Sequence, residues 1–295
     1  MSNDGAKQDT QSWRFLNTAF GNAFFNMAVD EQLVRSVSTG DSRPAVRVFG
    51  WSPPAVSFGY AQAIGNEVDL AEADRRGIEI VRRPTGGRAV LHWNELTYSV
   101  VCPSAHLLLG GSIAEVYRAI SGCLVAGLTD LGIEVRLEPG HSPVPSPRGN
   151  GLTSPCFSST SQYEITLGGR KLIGSAQRRI GETVLQHGSL LIGPEHKQVV
   201  DLMPGGHERA KSAYRKQLEL QTISLQEAGY AELGFEDLAD GIRSGFEKTL
   251  SCELLDLPLS ADEKSGVQDL ISVKYGTPDW NHRDRSAEVT RRLSV

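Results

Sequence analysis

The 295-residue chain has four cysteines, at positions 102, 123, 156 and 252, with no C-x-x-C pair and no metal-type spacing to a histidine. That excludes a disulfide framework and argues against a zinc site. No stretch approaches the ~20 consecutive apolar residues that span a bilayer. The opening MSNDGAKQDTQ has neither the basic start nor the apolar segment of a secretory signal, so a cytoplasmic chain is expected. Thirty basic residues stand against 35 acidic ones, leaving no bulk cation for nucleic acid. Also missing are H-E-x-x-H, G-x-x-x-x-G-K-[ST], a G-x-G-x-x-G after a strand, and internal repeats. No metal or cofactor is therefore expected.

The remaining composition, 39% hydrophobic and 22% charged, is that of a soluble enzyme-sized chain able to bury a sizeable core without staples. Residues 1–12 are polar and expected to be disordered. Phe25, Val29, Leu33 and Val37 recur every four residues and predict a helix over 22–37. Strands are expected near 13–16, 45–49, 55–58 and 78–81, and a helix over 67–76 that stops at Gly77. ELTYSVVC, from Glu95 to Cys102, alternates Leu96, Tyr98 and Val100 against Thr97, Ser99 and Val101, as a strand does. Ser112 and Glu115 have capping-box spacing ahead of a helix over 113–131. A strand near 133–137 leads into a Pro/Ser/Gly-rich loop over 138–155, of a length often found in functional lids. Further strands are expected at 163–167 and 183–192. Beyond Gly205 the texture turns helical, with a Phe235, Leu238, Ile242, Phe246 stripe and a second helix over 261–274. A helical subdomain over 206–281 and a charged tail over 282–295 are expected.

Chemistry concentrates in a few segments. In the run from Val81 to His92, Gly86 and Gly87 permit close approach of a ligand or positive φ, while Arg82, Arg83 and Arg88 supply forked donors for carbonyls, carboxylates or phosphates. The plain alternative is a hairpin loop with a solvated basic rim. The run from Gly168 to Arg179 again joins small residues to cations, with Lys171 either aimed into a pocket or on the surface. His187 is either a base or a satisfied strand histidine. Cys102, Cys123 and Cys252 read as small core hydrophobes. Cys156 differs: it ends the long loop, follows Pro155 and is flanked by serines, a setting in which a thiol can be a nucleophile.

The stretches Arg82 to His92, Glu95 to Ser99, Cys156-Phe157, Gly169-Arg170-Lys171, Gly174 to Gln177 and Gln186 to Ser189 occur in the order of one known family. The chain resembles the lipoate-attachment superfamily, which shares its fold with biotin–protein ligases, and within it the octanoyltransferases built on the lipoate–protein ligase scaffold. The resemblance covers about residues 13–205, and Lys274-Tyr275-Gly276 with Trp280 resembles the family's C-terminal end. Trp93-Asn94 departs from the acidic or small polar residue expected after the histidine.

This likeness implies an α/β (α+β) catalytic domain over 13–205, a mixed β-sheet flanked by helices. It implies that Cys156 takes octanoyl from acyl carrier protein as a thioester, and that a lysine of an apo lipoyl domain, such as glycine-cleavage H protein, receives it as an amide. Lys171 would lower the Cys156 pKa and polarise the carbonyl oxygen. Arg83, Thr85, Gly86, Gly87, Arg88, His92, Gly174, Ser175, Ala176, His187 and Gly188 would form the acyl pocket, the histidines without assigned roles. Basic rim residues would suit two acidic protein partners; no nucleic-acid or membrane partner is implied. Competing readings are an ATP-dependent lipoate–protein ligase, an octanoyl amidotransferase acting from H protein, and a binding module without turnover. Ligases tend to carry a third glycine where this chain has Arg88.

Overall fold

The computed structural model describes residues 12–106, 108–139, 163–206 and 208–283. Cys156, nearly all of the 138–155 loop, and the two chain ends lie outside the described residues.

Eight strands make the main sheet. They are β1 (Ser12–Gly21), β2 (Ala45–Trp51), β6 (Glu95–Pro103), β7 (Val135–Pro139), β8 (Tyr163–Leu167), β9 (Arg170–Ile180), β10 (Thr183–Leu191) and β11 (Glu253–Asp256), in the spatial order β11-β1-β2-β6-β10-β9-β8-β7. The first three are parallel neighbours and the rest pair antiparallel, so the sheet is mixed. A second sheet holds β4 (Glu79–Arg82), β3 (Ala55–Phe58) and β5 (Val90–His92) in that order. The helices are α1 (Ala23–Thr39), α2 (Leu70–Arg75), α3 (Ile113–Asp130), α4 (Glu208–Gln221), α5 (Phe235–Leu250), α6 (Ala261–Leu270) and α7 (Pro278–Asn281).

Period-2 alternation in β6 splits the interior into two cores. Leu96, Tyr98, Val100 and Cys102 face Ile120 and Leu124 of α3 and Ile242 and Phe246 of α5. Val101 belongs to the opposite core, with Met27, Leu33 and Val37 of α1. The polar neighbours Glu95, Thr97 and Ser99 share Val101's side of the strand, and they are buried too. That polar, enclosed side of β6 is where chemistry can be held.

Local signals explain most boundaries. Asn22 caps α1, its side chain accepting from the Phe25 amide, and Gly40 closes it with φ 81°. The Ser112–Glu115 capping box forms as its spacing predicts. Helices α3 and α5 approach so closely that a Cβ on Gly245 would lie 2.2 Å from the Cys123 carbonyl oxygen. The helix expected over 261–274 is α only to Leu270, and Ile271–Tyr275 widens into a π turn. The segment 170–180, read as a link between strands, is itself an eleven-residue strand.

The residues beyond 206 share the main body's cores. Strand β11 extends the main sheet beside β1, α5 lies on α3, and α6 packs on α1. Among the described residues no helix is long and apolar enough to cross a membrane.

Candidate active site

A cavity of about 220 Å³ lies where the two sheets meet α1. The small sheet and its following loop contribute Ser57, Arg83, Gly86, Gly87 and His92, and the main sheet contributes Trp51 and Thr97. Strand β9 brings Lys171, Gly174, Ser175, Ala176 and Gln177, and its partner β10 brings His187, Gly188 and Ser189. The register of β9 on β10 sets His187 opposite Ala176 and Gly188 opposite Ser175. Ten residues singled out from the sequence thus share one cavity wall. Thr85 and Arg88 stand off it: Thr85 is fully enclosed, and Arg88 is half-buried.

The arginines are built into the loop. Arg82 donates to the carbonyls of Gly59, Gln62, Trp280, Asn281 and Arg283, which ties the loop's start to the C-terminal segment. Arg83 donates to the carbonyls of Ser57, Gly86 and Arg88 and to the Ser57 hydroxyl. Gly87 has φ 95°, open to glycine without strain. Opposite it, a Cβ on Gly59 would fall 2.0 Å from the Gly87 carbonyl oxygen, so glycine is required for this approach.

Lys171 is 6% exposed, and its Nζ donates to Glu164 Oε1 at 2.9 Å. The carboxylate sits at 9% side-chain exposure on the adjacent strand, so the ammonium is held in place and desolvated with its counter-ion. Beside it Gln177 donates to Gln186, Gln186 to the Tyr98 hydroxyl, and that hydroxyl meets Ser175 Oγ at 2.7 Å. Burial pushes the Tyr98 phenol well above its ordinary range, so it stays protonated.

Each cavity histidine is held in the same pattern. His187 Nδ1 lies 3.0 Å from Asp30 Oδ2, and its Nε2 lies 2.6 Å from Thr85 Oγ1. Burial raises the Asp30 carboxyl, but the His187 hydrogen bond, the Arg47 charge and Ser99 outweigh it and hold the carboxyl below its ordinary value. Burial pushes His187 down against the pull of Asp30, so the imidazole is neutral near pH 7. Since a carboxylate only accepts, Nδ1 carries the proton and Nε2 accepts from Thr85. Arg47 completes the cluster, donating to Asp30 Oδ1 at 2.7 Å and to Asn26. His92 Nδ1 lies 2.8 Å from Glu95 Oε1, and its Nε2 lies 2.7 Å from Ser57 Oγ. Trp51 stacks on the His92 ring at 4.1 Å.

The sequence reading missed Asp30, Arg47, Ser57 and Glu164, and gave Glu95 no role. A signal existed for one of them, because Asp30 lies three residues after Met27 and four before Val34, on a helix face that is otherwise apolar. Cys102, Cys123 and Cys252 are buried, as their apolar settings predict. Burial pushes the first two thiols up to about 12 and the third to about 11, which leaves them protonated and inert. Among the described residues no group of three or more His, Cys, Asp or Glu is placed to hold a metal ion.

The mixed sheet with this cavity defines a class. The family model of the lipoyl protein ligase A/B catalytic domain matches residues 22–247, and the chain belongs to that family. Its relatives are more particular. The octanoyltransferase LipM of Kyrpidia tusciae is 38% identical over 277 residues, spanning 92% of this chain and 99% of that protein. The octanoyltransferase LipM of Geobacillus kaustophilus is 36% identical over 276 residues, spanning 92% and 98%. A structure of a bi-partite lipoate protein ligase and its E2 lipoyl domain from Thermoplasma acidophilum superposes with a TM-score of 0.75 at 24% identity, covering 92% of this chain and 96% of that one. A lipoate-protein ligase A bound with ATP gives 0.72 at 24%, covering 92% and 98%. Those two likenesses show the fold. With its relatives, the chain is an acyltransferase.

Proposed function

We propose that this protein transfers octanoyl from octanoyl-acyl carrier protein to a lysine of apo lipoyl domains, such as glycine-cleavage H protein, through a thioester on Cys156. The observation that carries the reading is Lys171, a nearly enclosed, ion-paired ammonium on the wall of a cavity that also presents glycines, small side chains and two histidines, in a chain so similar to octanoyltransferases. The other three thiols are buried and held protonated, which supports Cys156 as the nucleophile.

In the first step the Cys156 thiolate attacks the thioester carbonyl carbon and the carrier's thiolate leaves. Thioester replaces thioester, so little free energy changes. In the second step the acceptor amine attacks, a C–N bond replaces the C–S bond, and the more stable amide drives the sequence without ATP. Lys171 stabilises the negative charge that develops on the carbonyl oxygen in both steps. Gly86-Gly87 and Gly174-Ser175-Ala176 bring backbone rather than bulk to the acyl chain.

Intact-mass measurement after mixing with octanoyl-carrier protein tests this. One octanoyl adduct is expected, removed by hydroxylamine and absent in Cys156→Ser. Wild-type protein that stays unmodified until ATP and free lipoate are added overturns the reading. Octanoyl-H protein as sole donor separates the amidotransferase.

A further inference from the structure

Acylation of a lysine has a proton problem that Cys156 and Lys171 leave unsolved. The attacking nitrogen must lose a proton as the C–N bond forms, and Lys171 is already committed to Glu164. We propose that Ser57, His92 and Glu95 form a proton-accepting relay whose open end, the Ser57 hydroxyl, takes the proton from the acceptor amine.

The assignment follows from counting donors and acceptors. Glu95 Oε1 accepts from His92 Nδ1 at 2.8 Å, from Ser189 Oγ at 2.8 Å and from Thr97 Oγ1 at 2.6 Å. With Nδ1–H given to the carboxylate, Nε2 can serve as an acceptor, and the Ser57 hydroxyl 2.7 Å away is placed to donate to it. A hydroxyl has one hydrogen and two lone pairs. One lone pair accepts from Arg83 NH1 at 3.0 Å, which turns the hydrogen toward His92. Ser57 Oγ has no further hydrogen-bond partner among the described residues, and Ser57, though only 1% exposed, lines the cavity. Trp51, stacked 10° from coplanar, fixes the ring, and Trp51 is itself held by its Nε1–H donating to Thr97. At the far end Glu95 Oε2 is buried and has no hydrogen-bond partner among the described residues.

His187 provides the contrast. It has the same hydroxyl–imidazole–carboxylate pattern, but its hydroxyl belongs to Thr85, which does not line the cavity, whereas Ser57, equally buried, does. Both rings line the cavity, but only His92 has its hydroxyl partner on the wall as well. The charged and titratable groups around His92 are Glu95 and Arg83 beside it, His187 and Lys171 on the shared wall, and His196 behind Glu95, which burial pushes down to about 4 and keeps neutral.

The step balances. The amine nitrogen attacks the acyl carbon, and its proton passes to Ser57 Oγ as the Ser57 proton passes to His92 Nε2, giving an imidazolium against Glu95. Collapse of the tetrahedral intermediate expels the thiolate, and the relay then gives up the proton it holds, so that thiol and amide are the products. Nothing is consumed but the thioester and the amine. Ser57 touches the substrate, whereas His92 and Glu95 act through it as positioning residues.

This inference rests on lysine acylation in the cavity, whichever donor supplies the acyl group. Its test is transfer from the working donor to methoxyamine, an amine unprotonated across the neutral range, as well as to an apo lipoyl domain. With methoxyamine the wild-type rate is expected to climb with pH and then level off. His92→Gln keeps a polar side chain but accepts no proton. It should fall about 10²-fold at the plateau and lose the pH-dependent limb. Ser57→Ala should show the same flat profile, and Ser57→Thr, which restores the hydroxyl, should regain the limb. Matched thermal midpoints, or the Ser57 pair where His92→Gln folds poorly, separate this from a folding defect. A limb that survives in Ser57→Ala, or a loss under threefold, overturns the relay. Failure of the Cys156 reading shows instead as a missing octanoyl adduct on the wild-type protein, with transfer from any other working donor still reporting on the relay.

Discussion

Replacing Asp30 by asparagine is a sharp test of how the site is held. The Arg47–Asp30 pair is 0% exposed on both sides, at 2.7 Å, and Arg47 also donates to the Asn26 carbonyl and side chain. Asparagine keeps the shape but removes the negative charge, leaving the guanidinium buried without its counter-ion. Breaking a buried pair from one side costs about 3–5 kcal/mol. His187→Gln attacks the same cluster from the neutral side. It loses hydrogen bonds of an uncharged ring and should cost about 1–2 kcal/mol. In a chain of this size each kcal/mol moves the thermal midpoint by roughly 2–4 °C, so Asp30→Asn should fall on the order of 10 °C and His187→Gln a few degrees. Urea unfolding at pH 7, with the slope checked for constancy, measures both. Equal losses in the two variants would refute the reasoning, because they would mean that the carboxylate serves His187 and not the buried Arg47.

Three further outcomes are expected. Lys171→Met should lower acyl-enzyme formation by about 10²–10³-fold, with Glu164→Gln lower by less; near-normal rates in rapid-quench assays remove the role given to the lysine. His196, pushed down to about 4 by burial from an ordinary 6.5, is a base that is neutral in the fold. Such a group destabilises the fold as pH falls, beginning near 6.5 and completing near 4, by about 3 kcal/mol in all. His196→Gln should remove that part of the pH slope in urea titrations, and an unchanged slope contradicts it. Gly59→Ala drives a methyl against the backbone oxygen of Gly87 and should cost about 1–3 kcal/mol together with much of the activity; a variant with wild-type melting and turnover shows that the loop is not braced there.

What the sequence revealed and what it hid divide along a physical line. Helices α1 and α3 and strand β6 were legible because apolar periodicity and caps are local, and each repeats within a few residues. Strand β9 was not, because Ser175 and Gln177 stand where alternation would put apolar residues, and they face a cavity rather than a core. The pairing of β11 with β1, which joins Glu253 to Ser12, has no local signature at all. The site follows the same rule. The glycine-rich runs and Lys171 were visible as composition, whereas Asp30, Arg47 and Glu164 gain meaning only from partners elsewhere in the fold. His92 and His187 are the clearest instance. In the sequence each is a histidine in a motif with no role attached, and in the fold each holds a carboxylate on one nitrogen and a hydroxyl on the other. Only the position of that hydroxyl tells them apart. Ser57 lines the cavity and Thr85 does not, so His92 meets the cavity through a hydroxyl as well as through its own ring, and His187 through its ring alone.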